Sequence, residues 1–120
     1  MKPTIERTVF GSITIDGKTY EHDVIIRLDG EVKKRKKKLS KVVFGTSHVV
    51  SLDEAKHVFE KGARQIIVGS GQNGIMKLSK EAKEYFEKKE CRVDLLPTPQ
   101  AMKCWNEAHD KVVGLFHVTC

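Results

Sequence analysis

The sequence predicts an α/β fold in which a largely parallel sheet carries an N-terminal β-meander. Two observations lead to this prediction. The first third of the chain alternates short apolar segments with Asp-Gly turns, and the remainder alternates capped helical segments with buried strands. The 120 residues suit one domain over 1–120, because no Pro- or Ser-rich linker divides them.

Alternating polarity around two turns predicts the meander. Apolar residues between 9 and 15 stand among small polar ones, and the Asp16-Gly17 pair that follows is a strong hairpin signal. A further strand over 24–28 ends at a second Asp-Gly pair. The apolar segment 42–44 is expected to continue this β-rich part of the chain.

Capping signals predict three helices in the remainder. Ser51 and Glu54 have the spacing of a capping box, in which each side chain bonds the other residue's amide, and Gly62 supplies a helix end. Ser79 is expected to cap a second helix, and Thr98 a third with proline at its first position. The strands between and after these helices are expected over 65–68, 92–96 and 112–118.

Composition excludes several classes of protein. The longest apolar runs are four or five residues, far short of the roughly 20 that a membrane-spanning helix needs. The first residues lack the apolar region of a secretory signal. Three cysteines (Cys91, Cys104 and Cys120) without a C-x-x-C motif indicate a reducing compartment. We therefore expect a soluble, cytoplasmic protein that does not bind membranes.

The net charge of +6 comes from one segment. Six of the 22 basic residues are consecutive, and the remaining 16 equal the 16 acidic residues. This basic run could bind nucleic-acid phosphates, act as a nuclear localisation signal, or be a solvated turn or edge strand that lysines protect from pairing. No aromatic residue interrupts it to stack on bases. The run consists of Lys33, Lys34, Arg35, Lys36, Lys37 and Lys38.

A glycine-rich segment after the first buried strand matches the pattern G-x-G-x-x-G over 69–74. In a dinucleotide site the last glycine opens a helix, but here 75–78 separates it from the predicted cap at Ser79. The acidic residue at the expected distance, Asp94, falls inside a strand. A connecting loop is the better interpretation, although a loop at the carboxyl end of a parallel strand remains a good place for a ligand.

Cysteine and histidine spacing indicates neither a metal site nor a catalytic pair. Cys104 and His109 are five residues apart on a helix, so their side chains point in different directions. His117 and Cys120 are expected on opposite faces of the last strand, and His48 in a solvated loop. The acidic residues are expected on solvated helix faces. We therefore expect no catalytic residue, no metal ligand and no cofactor.

A binding cleft is predicted where the glycine-rich loop meets the third helix. Both follow parallel strands, so the loop and the first turn of the helix are expected to lie close together. An asparagine directly after the only tryptophan is unusual inside a helix, where its propensity is poor. The predicted cleft residues are Ser70, Gly71, Gln72, Asn73, Thr98 and Asn106.

Five short motifs are distributed along the chain: Phe10-Gly11-Ser12-Ile13, the Gly17–Tyr20 hairpin, Gly69-Ser70-Gly71, Thr98-x-x-Ala101 and Trp105-Asn106. Through these motifs the chain resembles the MTH-nine-three-eight domain family over nearly its full length. It implies a three-layer α/β fold with a mixed central sheet, and it brings no catalytic activity or cofactor. Relatives in that family include the mitochondrial complex I assembly factor three and an adipogenesis-associated protein.

These observations predict a small binding or assembly module that acts through the cleft on a protein partner or a small polar ligand. The first alternative is a small-molecule-binding protein or enzyme using the same cleft, with His109 or Lys103 as its titrating group. The second is a nucleic-acid-binding protein that uses the basic run. The sequence leaves the oligomeric state open.

Overall fold

The computed structural model describes residues 2–109 and 111–120 and contains four helices and ten strands. The helices are α1 (Lys38–Phe44), α2 (Leu52–Val58), α3 (Lys80–Lys88) and α4 (Thr98–Glu107). The strands are β1 (Ile5–Val9), β2 (Ser12–Ile15), β3 (Lys18–Tyr20), β4 (Val24–Ile26), β5 (Val32–Lys34), β6 (Val49–Val50), β7 (Gln65–Ser70), β8 (Lys77–Leu78), β9 (Arg92–Leu96) and β10 (Val112–His117).

A five-stranded sheet in the order β5-β4-β10-β7-β9 forms the middle layer. β10 and β9 both pair with β7 in parallel, whereas β4 pairs antiparallel with β10 and β5. The predicted mixed sheet is therefore confirmed. The carboxyl ends of β7, β9 and β10 meet at one side of the sheet, which we call the carboxyl edge, and their starts define the amino edge.

The first three strands form a separate antiparallel sheet in the order β1-β2-β3, which confirms the N-terminal meander. The turn between β2 and β3 lies at Asp16 and Gly17, whose φ angles of 47° and 82° are both positive. Two positive φ angles match the right-handed twist of the paired strands in a tight hairpin. This explains why the Asp-Gly pair was an accurate signal.

Two apolar cores lie on opposite faces of the five-stranded sheet because alternate strand residues point to opposite sides. On one face, Val68 packs with residues of α2 and α3, including the fully buried Phe86. On the other face, Ile67 packs with Trp105 of α4 and with Ile13 of the meander. The predicted three-layer arrangement is thus present. In the described part of the chain, no helix is long and apolar enough to span a membrane.

The predicted helix caps are present at Ser51 and Ser79, whose side chains accept hydrogen bonds from the amides of Glu54 and Ala82. Some details of the prediction were wrong. The Ser51 amide donates to Ser40 Oγ, so the capping box is not reciprocal. Two helix boundaries also differ: α2 ends at Val58, before Gly62, and α4 is capped by Pro97, which moves Thr98 into the helix.

The prediction that Val42-Val43-Phe44 is β-structure was wrong, because these residues lie in α1. The helix ends where Gly45, in the left-handed conformation, donates its amide to the carbonyl of Lys41. Val42 and Val43 are 70% and 54% exposed, so they do not have the burial of strand residues. The glycine end signal thus outweighs the β preference of branched side chains.

Candidate binding site at the carboxyl edge

The loop after β7 contacts the start of α4, as the sequence predicted. The Gly71 amide donates to Thr98 Oγ1 and the Thr98 amide donates to the Gly71 carbonyl, both at 2.9 Å. The Thr98 hydroxyl donates in turn to the His117 carbonyl at 2.6 Å. Thr98 is fully buried, so its hydroxyl joins β7, α4 and β10 and does not face solvent.

Only part of the glycine-rich loop reaches the surface. Ser70 and Gly71 are buried, Gln72 is half-buried and Asn73 is exposed. Gln72 Nε2 donates to Thr8 Oγ1 of β1 at 3.0 Å, which ties the loop to the meander. Gln72 and Asn73 are therefore the predicted loop residues whose side chains remain accessible to a ligand or partner.

Asn106 lies at the other end of α4, eight residues beyond Thr98. A helical rise of about 1.5 Å per residue separates the two positions by roughly 12 Å. The Ile5 amide donates to Asn106 Oδ1 at 2.9 Å, and Asn106 Nδ2 donates to the Ile5 carbonyl at 2.8 Å. This side chain attaches β1 to α4, and we leave it out of the candidate site.

The chain beyond β10 brings an unexpected group of side chains to the carboxyl edge. His48, His117 and Cys120 each present one potential ligand atom, and these three atoms lie within 4.8 Å of one another. His48 Nε2 is 3.8 Å from Cys120 Sγ, and the two imidazole rings are in edge contact with centroids 5.4 Å apart. We call these three residues the His-Cys cluster.

The positions of His48, His117 and Cys120 differ from those expected from the sequence. The strand alternation that placed His117 and Cys120 on opposite faces stops at His117, because β10 ends there. Beyond it, the Thr119 carbonyl accepts from the Gln72 amide at 2.6 Å, and the chain follows the loop. His48, expected in solvent, is half-buried against His117. The His-x-x-Cys spacing was the only local signal, and His48 is remote from it in sequence.

A buried carboxylate, that of Asp23, contacts His117 of the His-Cys cluster. Asp23 Oδ2 lies 2.8 Å from His117 Nδ1, and Asp23 Oδ1 accepts from the Val118 amide at 2.9 Å. Burial alone would raise the pKa of Asp23, but hydrogen bonds from His117, Val118 and Arg35 outweigh that effect and lower the pKa to about 2. Asp23 is therefore an ionised acceptor that fixes the orientation of the His117 ring.

The structure corrects the expectation that the acidic residues lie on solvated helix faces, since Glu54 of α2 is completely buried. Arg35 donates to both of its carboxylate oxygens, at 2.6 and 3.0 Å, and also to Asp23 Oδ2 at 2.9 Å. Burial alone would lower the pKa of Arg35, but Glu54 and Asp23 raise it above its usual value. The guanidinium thus stays charged and pairs with two interior carboxylates.

Arg35 is also the exception within the basic run, because it is 3% exposed. It cannot contact a nucleic acid in this fold, and the solvated-segment interpretation does not apply to it. The one arginine among lysines was a usable signal, since a guanidinium pairs with carboxylates in a two-pronged way that an ammonium cannot reproduce. The other members, Lys33, Lys34, Lys36, Lys37 and Lys38, are exposed on edge strand β5 and at the start of α1.

The loop approaches the C-terminal segment so closely that only glycine fits at 71. Gly71 has a φ angle of +101°, and a Cβ there would overlap the carbonyl group of Cys120 and lie 2.9 Å from His117 Cδ2. The Ile75 amide donates to the Cys120 carbonyl at 3.3 Å on the other side of the loop. The glycine-rich segment therefore positions the segment that carries Cys120.

The titrating groups suggested for an enzyme lie away from this edge. His109 and Lys103 line a hollow of about 380 Å³ together with Gln65 and Arg92, which begin β7 and β9. A second hollow, of about 420 Å³, includes Arg27 and Lys111 and also lies at the amino edge. Neither His109 nor Lys103 joins the carboxyl-edge site.

The fold and this edge define a class of small three-layer α/β domains. The chain belongs to the family described as protein of unknown function (DUF498/DUF598), whose model matches residues 5–117. It is similar to conserved hypothetical protein PH1505 of Pyrococcus horikoshii OT3, with 34% identity, a TM-score of 0.88 and coverage of 98% of this chain and 99% of that one.

Two further solved structures share the architecture. The protein MT938 is 33% identical, with a TM-score of 0.83 and coverage of 99% of this chain and 100% of the other. A Mth938-like domain protein of Bordetella pertussis is 15% identical, with a TM-score of 0.62 and coverage of 97% of this chain and 85% of that one. The resemblance to the MTH-nine-three-eight family noted from the sequence is thereby confirmed, and at 15% identity the Bordetella protein shares the fold alone.

Proposed function

We propose that this chain is a binding module that engages a protein partner through the carboxyl edge. The single observation that supports it is the exposure of two large apolar side chains on loops beside the same C-terminal segment: Phe10 is 66% exposed and Ile75 is 54% exposed. Exposed apolar groups rimmed by polar ones are typical of protein contact sites. Together with Gln72 and Asn73, they form what we call the edge surface.

Hydrogen bonds hold the two loops of the edge surface in place. The Gly11 amide, next to Phe10, donates to the Val118 carbonyl at 2.8 Å. The Ile75 amide donates to the Cys120 carbonyl, and Gln72 bonds both Thr8 of β1 and Thr119 of the segment after β10. A partner would meet loops that are already ordered by backbone bonds, which reduces the entropy lost on binding.

The test is affinity capture from the native host with the wild-type chain and a Phe10→Ser/Ile75→Ser variant, followed by measurement of the dissociation constant with the purified partner. We expect the variant to weaken binding at least roughly ten-fold, because interface aromatic residues often contribute that much. The matched control is Val42→Ser/Val43→Ser, which removes two exposed apolar side chains from α1. The proposal would be contradicted if the Phe10→Ser/Ile75→Ser variant and the control captured the partner equally, or if only the control lost binding.

A second candidate function rests on the five exposed lysines of the basic run, which lie on β5, in the segment after it and at the start of α1. Phosphate contacts by these lysines would give nucleic-acid affinity that falls steeply with salt. A salt titration with DNA and RNA tests this candidate, and charge reversal at Lys36 and Lys37 should flatten the slope. Absence of binding at low salt would eliminate it.

A further inference from the structure

We propose that the His-Cys cluster binds one thiophilic divalent transition-metal ion, for which Zn²⁺ is the reference, at the carboxyl edge. His48, His117 and Cys120 would supply two imidazole nitrogens and one thiolate. The site goes beyond the proposed function, because it requires no partner and involves none of the exposed side chains of the edge surface.

The spacing of the donor atoms fits a metal ion. Zinc–nitrogen distances of about 2.0–2.1 Å and a zinc–sulfur distance of about 2.3 Å place tetrahedral donors roughly 3.3–3.6 Å apart. The atoms here lie within 4.8 Å of one another, with 3.8 Å between His48 Nε2 and Cys120 Sγ. The remaining difference is at most about 1.5 Å, and binding requires rotation of the half-buried His48 and Cys120 side chains to close it.

His117 has the orientation of a metal-binding histidine. Its Nδ1 is bonded to Asp23 Oδ2, so its Nε2 is the ring nitrogen left for the cluster. That Nε2 contacts Thr119 Oγ1 at 3.2 Å, a contact that a metal ion would replace. A carboxylate behind a ligating histidine fixes the ring and raises its basicity, and such pairs recur in zinc sites.

The segment that carries His48 is tied to the same interior network. Arg35 Nη2 donates to the Ser47 carbonyl at 2.8 Å, and the His48 carbonyl accepts from the Lys77 amide of β8 at 2.9 Å. Arg35 also bonds Asp23, the carboxylate that orients His117. One guanidinium therefore contacts both the segment that carries His48 and the carboxylate behind His117. This is the preorganisation that a binding site needs.

The third donor is held by the loop on the opposite side. The amides of Gln72 and Ile75 bond the carbonyls of Thr119 and Cys120, and Gly71 leaves room for the close approach. His48 and Cys120 are half-buried, so solvent reaches the cluster from outside while His117 is buried beneath it. The cluster is therefore not enclosed by protein on all sides, which entry of an ion and a water as fourth ligand both require.

The donor set selects the class of metal. Imidazole and thiolate favour zinc and neighbouring thiophilic ions, whereas calcium and magnesium require oxygen ligands. The thiolate forms when the metal displaces the proton of Cys120, which leaves to solvent. Two histidines and one cysteine leave tetrahedral zinc with one open position, the arrangement found in catalytic and exchangeable sites more than in closed structural ones.

The test is calorimetric titration of the untagged, chelator-stripped full chain with Zn²⁺ in the presence of a phosphine reductant. We expect one ion per chain, with affinity reduced at least roughly ten-fold by His48→Ala and by Cys120→Ser. Both residues are half-buried, so the variants should remain folded. The matched controls are His57→Ala and Cys104→Ser, half-buried residues of the same types elsewhere, which should leave the affinity unchanged.

Cobalt provides an independent readout of the ligands. Co²⁺ bound at the cluster should show a thiolate-to-metal charge-transfer band that disappears in Cys120→Ser and persists in Cys104→Ser. Asp23→Asn, which alters a positioning residue, should weaken Zn²⁺ binding roughly 10–100-fold while retaining the band at saturating Co²⁺. Absence of one-equivalent binding, or equal binding by wild type, His48→Ala and Cys120→Ser, would overturn the proposal whatever the result of partner capture.

Discussion

Arg35 and Asp23 form an ion pair in the interior, in which Arg35 Nη1 lies 2.9 Å from Asp23 Oδ2. The same carboxylate oxygen contacts His117 Nδ1, and the same guanidinium binds Glu54. This arrangement connects α2, the residue that follows edge strand β5 and the end of β10. An arginine from a lysine-rich segment thus supports the carboxyl edge from inside the protein.

Arg35→Ala should destabilise the fold by about 3–5 kcal/mol, because it leaves two buried carboxylates without their counter-charge. Lys37→Ala in the same basic run should change the free energy of unfolding by less than about 0.5 kcal/mol. Urea unfolding of both variants at neutral pH measures the difference. Similar midpoints for the two variants would show that the interior ion pair contributes little.

Gly71→Ala should destabilise the protein by roughly 1–3 kcal/mol and weaken Zn²⁺ binding, because the added Cβ overlaps the Cys120 carbonyl group. Gly17→Ala is the matched control: its φ is +82°, but a Cβ there meets nothing within 4 Å. The control should lose only about 1 kcal/mol of stability, because alanine disfavours a positive φ, and it should retain its affinity for Zn²⁺. Thermal unfolding and calorimetry of both variants test this, and equal effects on metal affinity would argue against a role for the close approach.

Asn106→Ala should cost about 1–2 kcal/mol, because two hydrogen bonds to the Ile5 backbone are lost. Hydrogen exchange of the Ile5 amide should accelerate. Asn73→Ala, on the exposed loop, should leave stability nearly unchanged. Zn²⁺ affinity should be unaffected by Asn106→Ala, and a large loss of affinity would mean that this side chain influences the edge after all.

Stability should fall between pH 9 and about 11 through Cys91. Burial raises the pKa of its thiol from 9.0 to about 11, so in this window the unfolded chain loses a proton that the folded chain keeps. The contribution of the buried, protonated Cys91 thiol to the free energy of unfolding is intact below pH 9 and is lost as the pH rises through about 11. The change is on the order of 2 kcal/mol. Cys91→Ala should show a shallower decline in urea unfolding at these pH values, and parallel declines would contradict the assignment.

Local signals were sufficient to predict much of the fold. Asp16-Gly17 makes its turn because both residues adopt positive φ angles, and Ser51 and Ser79 cap helices through bonds spanning three residues. These interactions depend on near neighbours, so the sequence displays them directly. Residues 42–44 of α1 were predicted as β-structure because branched side chains favour strands, whereas Gly45 ends a helix there.

The site was only partly predictable because its contacts join distant parts of the chain. The approach of Gly71 to Thr98 follows from the general geometry of parallel strands, and it was anticipated. The cluster of His48, His117 and Cys120 depends on where β10 ends and how the following residues turn, which alternation patterns do not encode. The burial of Arg35 was not predicted, because its partners Asp23 and Glu54 lie 12 and 19 residues away in the sequence.

The zinc-edge X-ray absorption spectrum of the one-to-one Zn²⁺ complex tests the metal site most directly. With His48, His117 and Cys120 as ligands, the spectrum should show one sulfur at about 2.3 Å and nitrogen or oxygen donors at about 2.0–2.1 Å, with the outer-shell scattering of two imidazoles. A first shell without sulfur, a shell with two or more sulfurs, or the absence of imidazole scattering would contradict this assignment.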